Sequence, residues 1–457
     1  MKELGKDFFW GGSSSSFQSE GAWNEDGKGL SVYDEKPIYE GASDWKNGVD
    51  FYHRYKEDID LLAQMGMNMY RLQISWSRIF PQGTGEMNTK GLDFYDHVVD
   101  YLLEKGITPM ICLYHFDMPL ALAKKYNGWA SREVIDFFVD YATTIVQHFK
   151  GRVRYYITFN EQNLFMWKEK VCGGKPPHNQ NPQEFLFQTA HHAFLAHARV
   201  VNMMKALDPK IQVGAMVAYN VFYPATCKPQ DVKFARDLEY LYNLSTYDVL
   251  VHGQYPPFLL NYYQKNGYHI DITEEDKQVL KTVKNDFVAF SYYSSKTVKY
   301  IDIDPTQYFF GQDYMVDNPY VETTEVWHWD IDPLALRTLM THLYNRYQIP
   351  LFILENGIGL VEELDENGEV HDPKRIAYHR EHIKEMKKAI LEDGVPCLGY
   401  LTWGPIDILS SNGEMKKRYG FVFVNRDEHD LRDMRRVKKE SFEWMKKACH
   451  SHGRDLE

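Results

Sequence analysis

The chain has 457 residues, 44% of them hydrophobic, enough for a large core, and a formal net charge of −12 that weighs against nucleic acid or an anionic membrane as partner. No stretch reaches the roughly 18 apolar residues of a membrane span, and the first ten residues lack the apolar run of a secretory leader. The five cysteines are odd in number and never spaced as C-x-x-C, which points away from zinc knuckles and disulfide scaffolds and fits a reducing cytoplasm.

Short apolar runs rich in strand formers recur along the chain. They cover residues 8–11, 69–75, 107–115, 155–161, 213–220, 287–294, 349–355 and 395–403, and near-continuous apolar runs are how buried parallel strands read. Helical patterns fall between them. Ser131 is placed to cap a helix whose buried face is Val134, Phe138, Tyr141, Ile145 and Phe149, stopped by Gly151. Asp332 before Pro333 reads as an N-cap with proline at the first helical position, and residues 53–64 and 376–391 are further helices. No linker, repeat or low-complexity tract divides the chain, so one domain over residues 1–457 is expected. Eight strands alternating with helices imply a parallel α/β sheet, and closure into a (β/α)8 TIM barrel removes its edges. No glycine-rich dinucleotide turn follows the first strand, which disfavours a doubly wound open sheet.

In such a barrel, function sits where strands end. The second run contains Arg71; the third ends in His115, the fourth in Asn160 and Glu161, the sixth in Tyr292 and Tyr293. The seventh ends in Glu355, Asn356 and Gly357, and the eighth in Trp403. Two carboxylates far apart in sequence would thus face one another across one mouth, the machinery of glycoside hydrolysis. Either glutamate alone would read equally well as a salt-bridge partner.

The quoted runs carry a resemblance to glycoside hydrolase family 1, extending from Phe8 to the C-terminal helix. FFWGGSSSSFQSEGAW at residues 8–23 looks like the family's N-terminal signature, and residues 53–81 and YHFDMP at 114–119 also match. The two catalytic signatures appear as Thr158-Phe159-Asn160-Glu161 and Ile353-Leu354-Glu355-Asn356-Gly357. The resemblance implies a retaining β-glycosidase, with Glu161 as acid/base and Glu355 as nucleophile, about 5 Å apart. Arg71 and Tyr293 would keep Glu355 ionised, whereas Glu161 needs an apolar site or a negative neighbour to hold its proton. Gln18, His115 and Asn160 would bind sugar hydroxyls, with Trp403 beneath the ring and Trp329 on the cleft wall.

The loop after the last strand bears on the sugar. Where the unphosphorylated β-glucosidase branch places a glutamate, this chain has Ser410 and Ser411, followed by Lys417 and Tyr419. A carboxylate there would repel a phosphate dianion; a serine hydroxyl can donate to one. The pattern is similar to the phosphate pocket of 6-phospho-β-glycosidases, with Ser411 preferred over Ser410 for the contact. Phe116 and Ser291 also resemble that branch. Galacto-type enzymes tend to carry a Trp just after the phosphate-binding serine; this loop has none, which favours glucose. The substrate implied is a phosphorylated β-glucoside, cleaved to glucose 6-phosphate in the cytoplasm. Rival readings are a 6-phospho-β-galactosidase, a dual-specificity or unphosphorylated β-glucosidase, and a non-catalytic sugar-phosphate-binding barrel. No cofactor and no metal are implied, and homo-oligomerisation is left open. His191, His192 and His197 read as packing within a helix, and the basic residues 432–439 as a solvated helix and the loop leading into it.

Overall fold

A computed structural model describes residues 4–302 and 313–457. Eight parallel strands close into a barrel: β1 (Phe9–Ser13), β2 (Met69–Gln73), β3 (Thr108–Tyr114), β4 (Tyr155–Phe159), β5 (Gln212–Ala218), β6 (Phe287–Tyr292), β7 (Leu351–Asn356) and β8 (Cys397–Trp403). Each pairs with its sequence neighbour, and β1 pairs with β8. All eight expected runs are strands; most are shorter at their ends, while β1 runs on to Ser13 and β7 to Asn356. β4 stops at Phe159 because Glu161 has φ 43° and ψ 58°, a left-handed conformation that no strand can continue.

The alternation of strand side chains separates two cores. Met69, Met110, Cys112, Ile157, Met216, Ala289 and Leu401 fill the barrel interior. Below them Phe9, Tyr155, Phe287 and Phe352, all at or next to strand starts, form a floor: Phe9 meets Tyr155 at 5.2 Å and Phe352 at 6.0 Å, and Phe287 meets Phe352 at 5.5 Å between ring centroids. Outward residues pack on the helices. The helix Glu133–His148 buries Val134, Phe138, Tyr141 and Ile145 as expected; Ser131 sits in extended backbone, and its Oγ accepts the Glu133 N–H at 3.3 Å. Asp332 caps Pro333–Tyr347 by accepting the Ala335 N–H. The helix Pro182–Leu207 carries the three histidines. Thr158 Oγ1 and Asn285 hold His197, Tyr255 and Asp276 hold His191, and the Trp129 carbonyl holds His192.

One expectation is overturned. Residues 432–439 are not a uniformly solvated basic run. Arg436, in a short strand Arg436–Lys438, forms a bidentate pair with Asp58, and Lys439 is buried between Glu362 and Asp407. Their acidic partners are distant in sequence, so the local charge pattern could not reveal them. Among the described residues no helix is long and apolar enough to cross a membrane.

Candidate active site

The mouth of the barrel collects the polar strand ends. On β2, the inward alternation that places Met69 in the barrel core also turns Arg71 inward, one layer above. Its guanidinium donates to Asn160 Oδ1 at 2.9 Å, lies 3.1 Å from Met216 Sδ, and pairs with Glu355 Oε1. The Tyr293 hydroxyl donates to the other Glu355 oxygen at 2.7 Å. Glu355 faces inward only because β7 is irregular. Ile353 pairs with Phe290, yet Glu355 pairs with Ser291, so two residues of β7 advance against one of β6. Leu354 lies in the barrel core, and regular alternation would send Glu355 out to the helices. This bulge re-aims it into the mouth, a recurrent device beside functional sites.

Glu161 approaches from the opposite side. Its left-handed backbone, of a kind that costs about 1–3 kcal/mol in a residue with a side chain, turns its carboxyl toward β6, where Ser291 Oγ hydrogen-bonds to Oε1. Ser291 therefore touches one glutamate with its side chain and stands beside the other in the sheet. Burial first, and then the negative charge of Glu355, raise the Glu161 pKa from 4.5 to about 8. The sign for stability follows. The folded state holds a proton that the unfolded chain releases near pH 4.5, so this group lowers stability as pH rises from about 4.5 through about 8.

Three further residues surround this pair. His115 is buried, and desolvation, followed by the charge of Arg71, holds its pKa well below 6.5, so it is neutral. Because Asn160 accepts from Arg71 through Oδ1, its amide nitrogen faces His115 Nε2 at 3.1 Å. The imidazole proton then sits on Nδ1, which has no protein partner among the described residues. Trp403 packs beside His115, 5.6 Å between centroids with the rings tilted by 34°, and lies 5.9 Å from the Arg71 guanidinium. Gln18 is already engaged: its Nε2 donates to the Leu409 carbonyl at 2.7 Å and its Oε1 accepts from Ser15 Oγ at 2.6 Å. Each end retains capacity for one more bond. Trp329 packs 5.5 Å from Tyr293 and, with Glu161, lines a cavity of about 380 Å³.

The loop after β8 folds back against this wall. Lys417 is buried, with its ammonium 3.9 Å from the Trp329 ring centroid and 4.7 Å from that of Trp327. Its stem crosses Gly359, where an added Cβ would come within 2.8 Å of it. No carboxylate lies within salt-bridge distance of Lys417 among the described residues. Burial lowers its pKa to about 8, only partly offset by Glu414. Tyr419 is buried beside it. Ser410 is buried and its hydroxyl accepts from the N–H groups of Asn412 and Glu414, whereas Ser411 is exposed at the loop tip.

Behind the loop lies a buried network of six charges, three of each sign. Arg375 bonds Asp372 and Glu362, Lys439 bonds Glu362 and Asp407, and Arg418 bonds Asp407. Arg375 also donates to the Tyr419 carbonyl at 2.7 Å and the Ile358 carbonyl at 2.8 Å, fixing the loop to the end of β7. Buried pairs of this kind add little net stability, yet removing one partner would leave its neighbour an uncompensated buried charge. Within Lys416-Lys417-Arg418, then, Lys416 is exposed, Arg418 is neutralised, and Lys417 alone is held in the cleft wall without an anion.

Sequence reasoning missed the hydrogen bond of Ser291 to Glu161, the place of Trp327 under Lys417 and the β7 bulge. Only Ser291 left a signal, as the residue facing the mouth one step before Tyr292.

Residues 1–454 match the profile of glycosyl hydrolase family 1. Curated relatives include the aryl-phospho-β-D-glucosidase BglA of Bacillus subtilis, 43% identical with both chains covered in full. Another is the 6-phospho-β-glucosidase AscB of Escherichia coli, 40% identical, again over the whole of both chains. Among solved structures, the family 1 β-glucosidase from Thermotoga maritima superposes with a TM-score of 0.89 at 31% identity, covering 99% of each chain. Eight parallel strands in a closed barrel, a family profile spanning nearly every residue and full-length relatives lead to one assignment: this chain belongs to glycosyl hydrolase family 1.

Proposed function

We propose that the chain is a retaining 6-phospho-β-glucosidase that hydrolyses phosphorylated β-glucosides to glucose 6-phosphate and an alcohol or sugar. The observation that carries the phosphate specificity is Lys417, a buried cation on aromatic faces with no carboxylate in reach. A sugar phosphate would supply the missing anion, with Tyr419 and Ser411 or Ser410 as hydroxyl donors. The names of the relatives point the same way. We place the reaction in the cytoplasm, where phosphorylated sugars and free thiols coexist; the five cysteines form no disulfide among the described residues.

The sugar would lie over Trp403, with His115 Nδ1–H and Asn160 on its hydroxyls. Glu355, oriented by Arg71 and the Tyr293 hydroxyl, attacks the anomeric carbon from below. Glu161, protonated at neutral pH, gives its proton to the leaving oxygen. Once Glu355 is esterified its charge is gone, the repulsion that helps raise the Glu161 pKa falls away, and Glu161 can take a proton from water. A general acid with a pKa of about 8 in the free protein is competent below that value, so kcat/KM should fall as pH rises through about 8. The same limb should be steeper for phosphorylated substrates, because Lys417 also loses its charge near pH 8. A profile flat from pH 6 to pH 10 would refute the acid assignment.

The direct test compares nitrophenyl β-glucoside with its 6-phosphate. The phosphorylated compound should have the higher kcat/KM, and Lys417→Met should lower that value about 10- to 150-fold, the worth of one charge-assisted hydrogen bond. The neutral compound should change little. If the wild-type protein prefers the neutral glucoside, the phosphate assignment fails. Nitrophenyl β-galactoside 6-phosphate, run beside them, tests the preference for the gluco epimer.

A further inference from the structure

Lys417 is not the only unpaired cation at the mouth. Lys170 Nζ donates to Asn412 Oδ1, in the loop that carries Lys417, at 3.4 Å. Lys36 lies 5.0 Å from the Trp45 ring centroid, and Trp45 in turn abuts Gly413 of the same loop. Lys168, 4.7 Å from the Trp167 ring, and Lys296 both line the cavity that contains Glu161 and Trp329. Among the described residues none of these four makes a salt bridge, in a chain whose formal charge is −12. Elsewhere some lysines pair, as Lys124 does with Glu35 and Lys233 with Asp237, and others, such as Lys56 and Lys265, make no salt bridge among the described residues; what sets these four apart is their grouping around one opening. The acidic groups facing the arc, Glu414 beside Lys417, Asp330 beside Lys296 and Glu161 toward Lys170, stay beyond salt-bridge distance.

We propose that Lys36, Lys168, Lys170 and Lys296 form a cationic rim that draws dianionic sugar phosphates into the cleft and raises their capture over that of neutral glucosides. The inference rests on the phosphate specificity proposed above. Its physical basis is field focusing: like charges around an opening with low-dielectric walls raise the local concentration of an anion, and the gain is lost as salt screens them. The rim residues also feel one another. Crowding by protein, and after it the charges of Lys36 and Lys168, lower the Lys170 pKa to about 8, although its side chain is exposed. Such repulsion is a cost that a bound dianion would relieve. The rim runs from the Lys417 loop, which Lys170 contacts, to the adjoining cavity lined by Glu161, Lys168 and Lys296, so it would act before the phosphate reaches Lys417.

The test uses the full chain with Lys170→Gln, Lys296→Gln and the double variant. Each is assayed on nitrophenyl β-glucoside 6-phosphate and on the unphosphorylated compound, from about 0.01 M to 1 M salt, where the screening length falls from about 30 Å to 3 Å. At low salt the double variant should lose about three- to tenfold in kcat/KM for the phosphorylated substrate. Its dependence on salt should flatten, kcat should hold, and the neutral substrate should be unaffected. Lys170→Arg should behave as wild type. An unchanged salt slope in the double variant, or an equal loss on both substrates, would overturn the rim while leaving the Lys417 pocket intact. A wild-type protein with no preference for the phosphorylated compound would remove both.

Discussion

Replacing Glu355 by Gln is expected to lower kcat on nitrophenyl β-glucoside 6-phosphate by about 10⁴-fold or more, because an amide cannot form the covalent intermediate. The substitution is isosteric, and the amide oxygen of the new side chain could still accept from Arg71, so the protein should fold. The neutral amide nevertheless leaves the buried Arg71 guanidinium without its counter-ion, an imbalance that destabilises by up to about 3–5 kcal/mol. A thermal melt lowered by several degrees should therefore accompany the loss of activity. There is a second consequence. Glu355 is one of the two named causes that raise the Glu161 pKa, so removing its charge should lower that pKa, a shift that carboxyl titration can follow. Turnover within tenfold of wild type would end the assignment of Glu355 as nucleophile.

For Glu161→Gln the expected loss depends on the leaving group, and that dependence is its signature. Cellobiose 6-phosphate needs its departing oxygen protonated, and kcat should fall about 10²–10⁴-fold. A nitrophenolate departs largely unaided, so the first step should survive and the glycosyl-enzyme should accumulate for want of a base. Azide, which attacks without surrendering a proton, should then accelerate turnover of the nitrophenyl substrate. The alkaline limb near pH 8 should vanish with the carboxyl that causes it. Equal losses on both substrates, with no response to azide, would mean that Glu161 is not the proton donor.

Most of the barrel was legible in the sequence because parallel strands buried on both faces leave continuous apolar runs, and each run from Phe9 to Trp403 could be found without knowing its partners. The inward polar residues Arg71, His115 and Asn160 stood out against those runs for the same reason. What could not be read were features fixed by neighbours distant in the chain. Leu354 and Glu355 both face inward, which simple alternation forbids; the register of β7 against β6 decides it, and register is a property of two strands. Lys416, Lys417 and Arg418 are one basic run in sequence but three environments in the fold. Asp407 claims Arg418, Trp327 and Trp329 shelter Lys417, and solvent takes Lys416. The contacts of Ser291 with Glu161 and of Lys439 with Glu362 and Asp407 likewise join segments that no local pattern connects.

The four aromatic rings that plug the barrel bottom close that end to a substrate, and the cleft opens at the mouth. Whatever enters must leave the way it came, so the aglycone, nearer the exit, departs first and the glucose 6-phosphate stays behind until water has done its work. Bond and architecture order the traffic together: the ester to Glu355 holds the sugar phosphate until water cleaves it, the closed floor leaves it only the mouth to depart by, and it is this product, rather than the released alcohol, that would compete with the next substrate for the empty cleft.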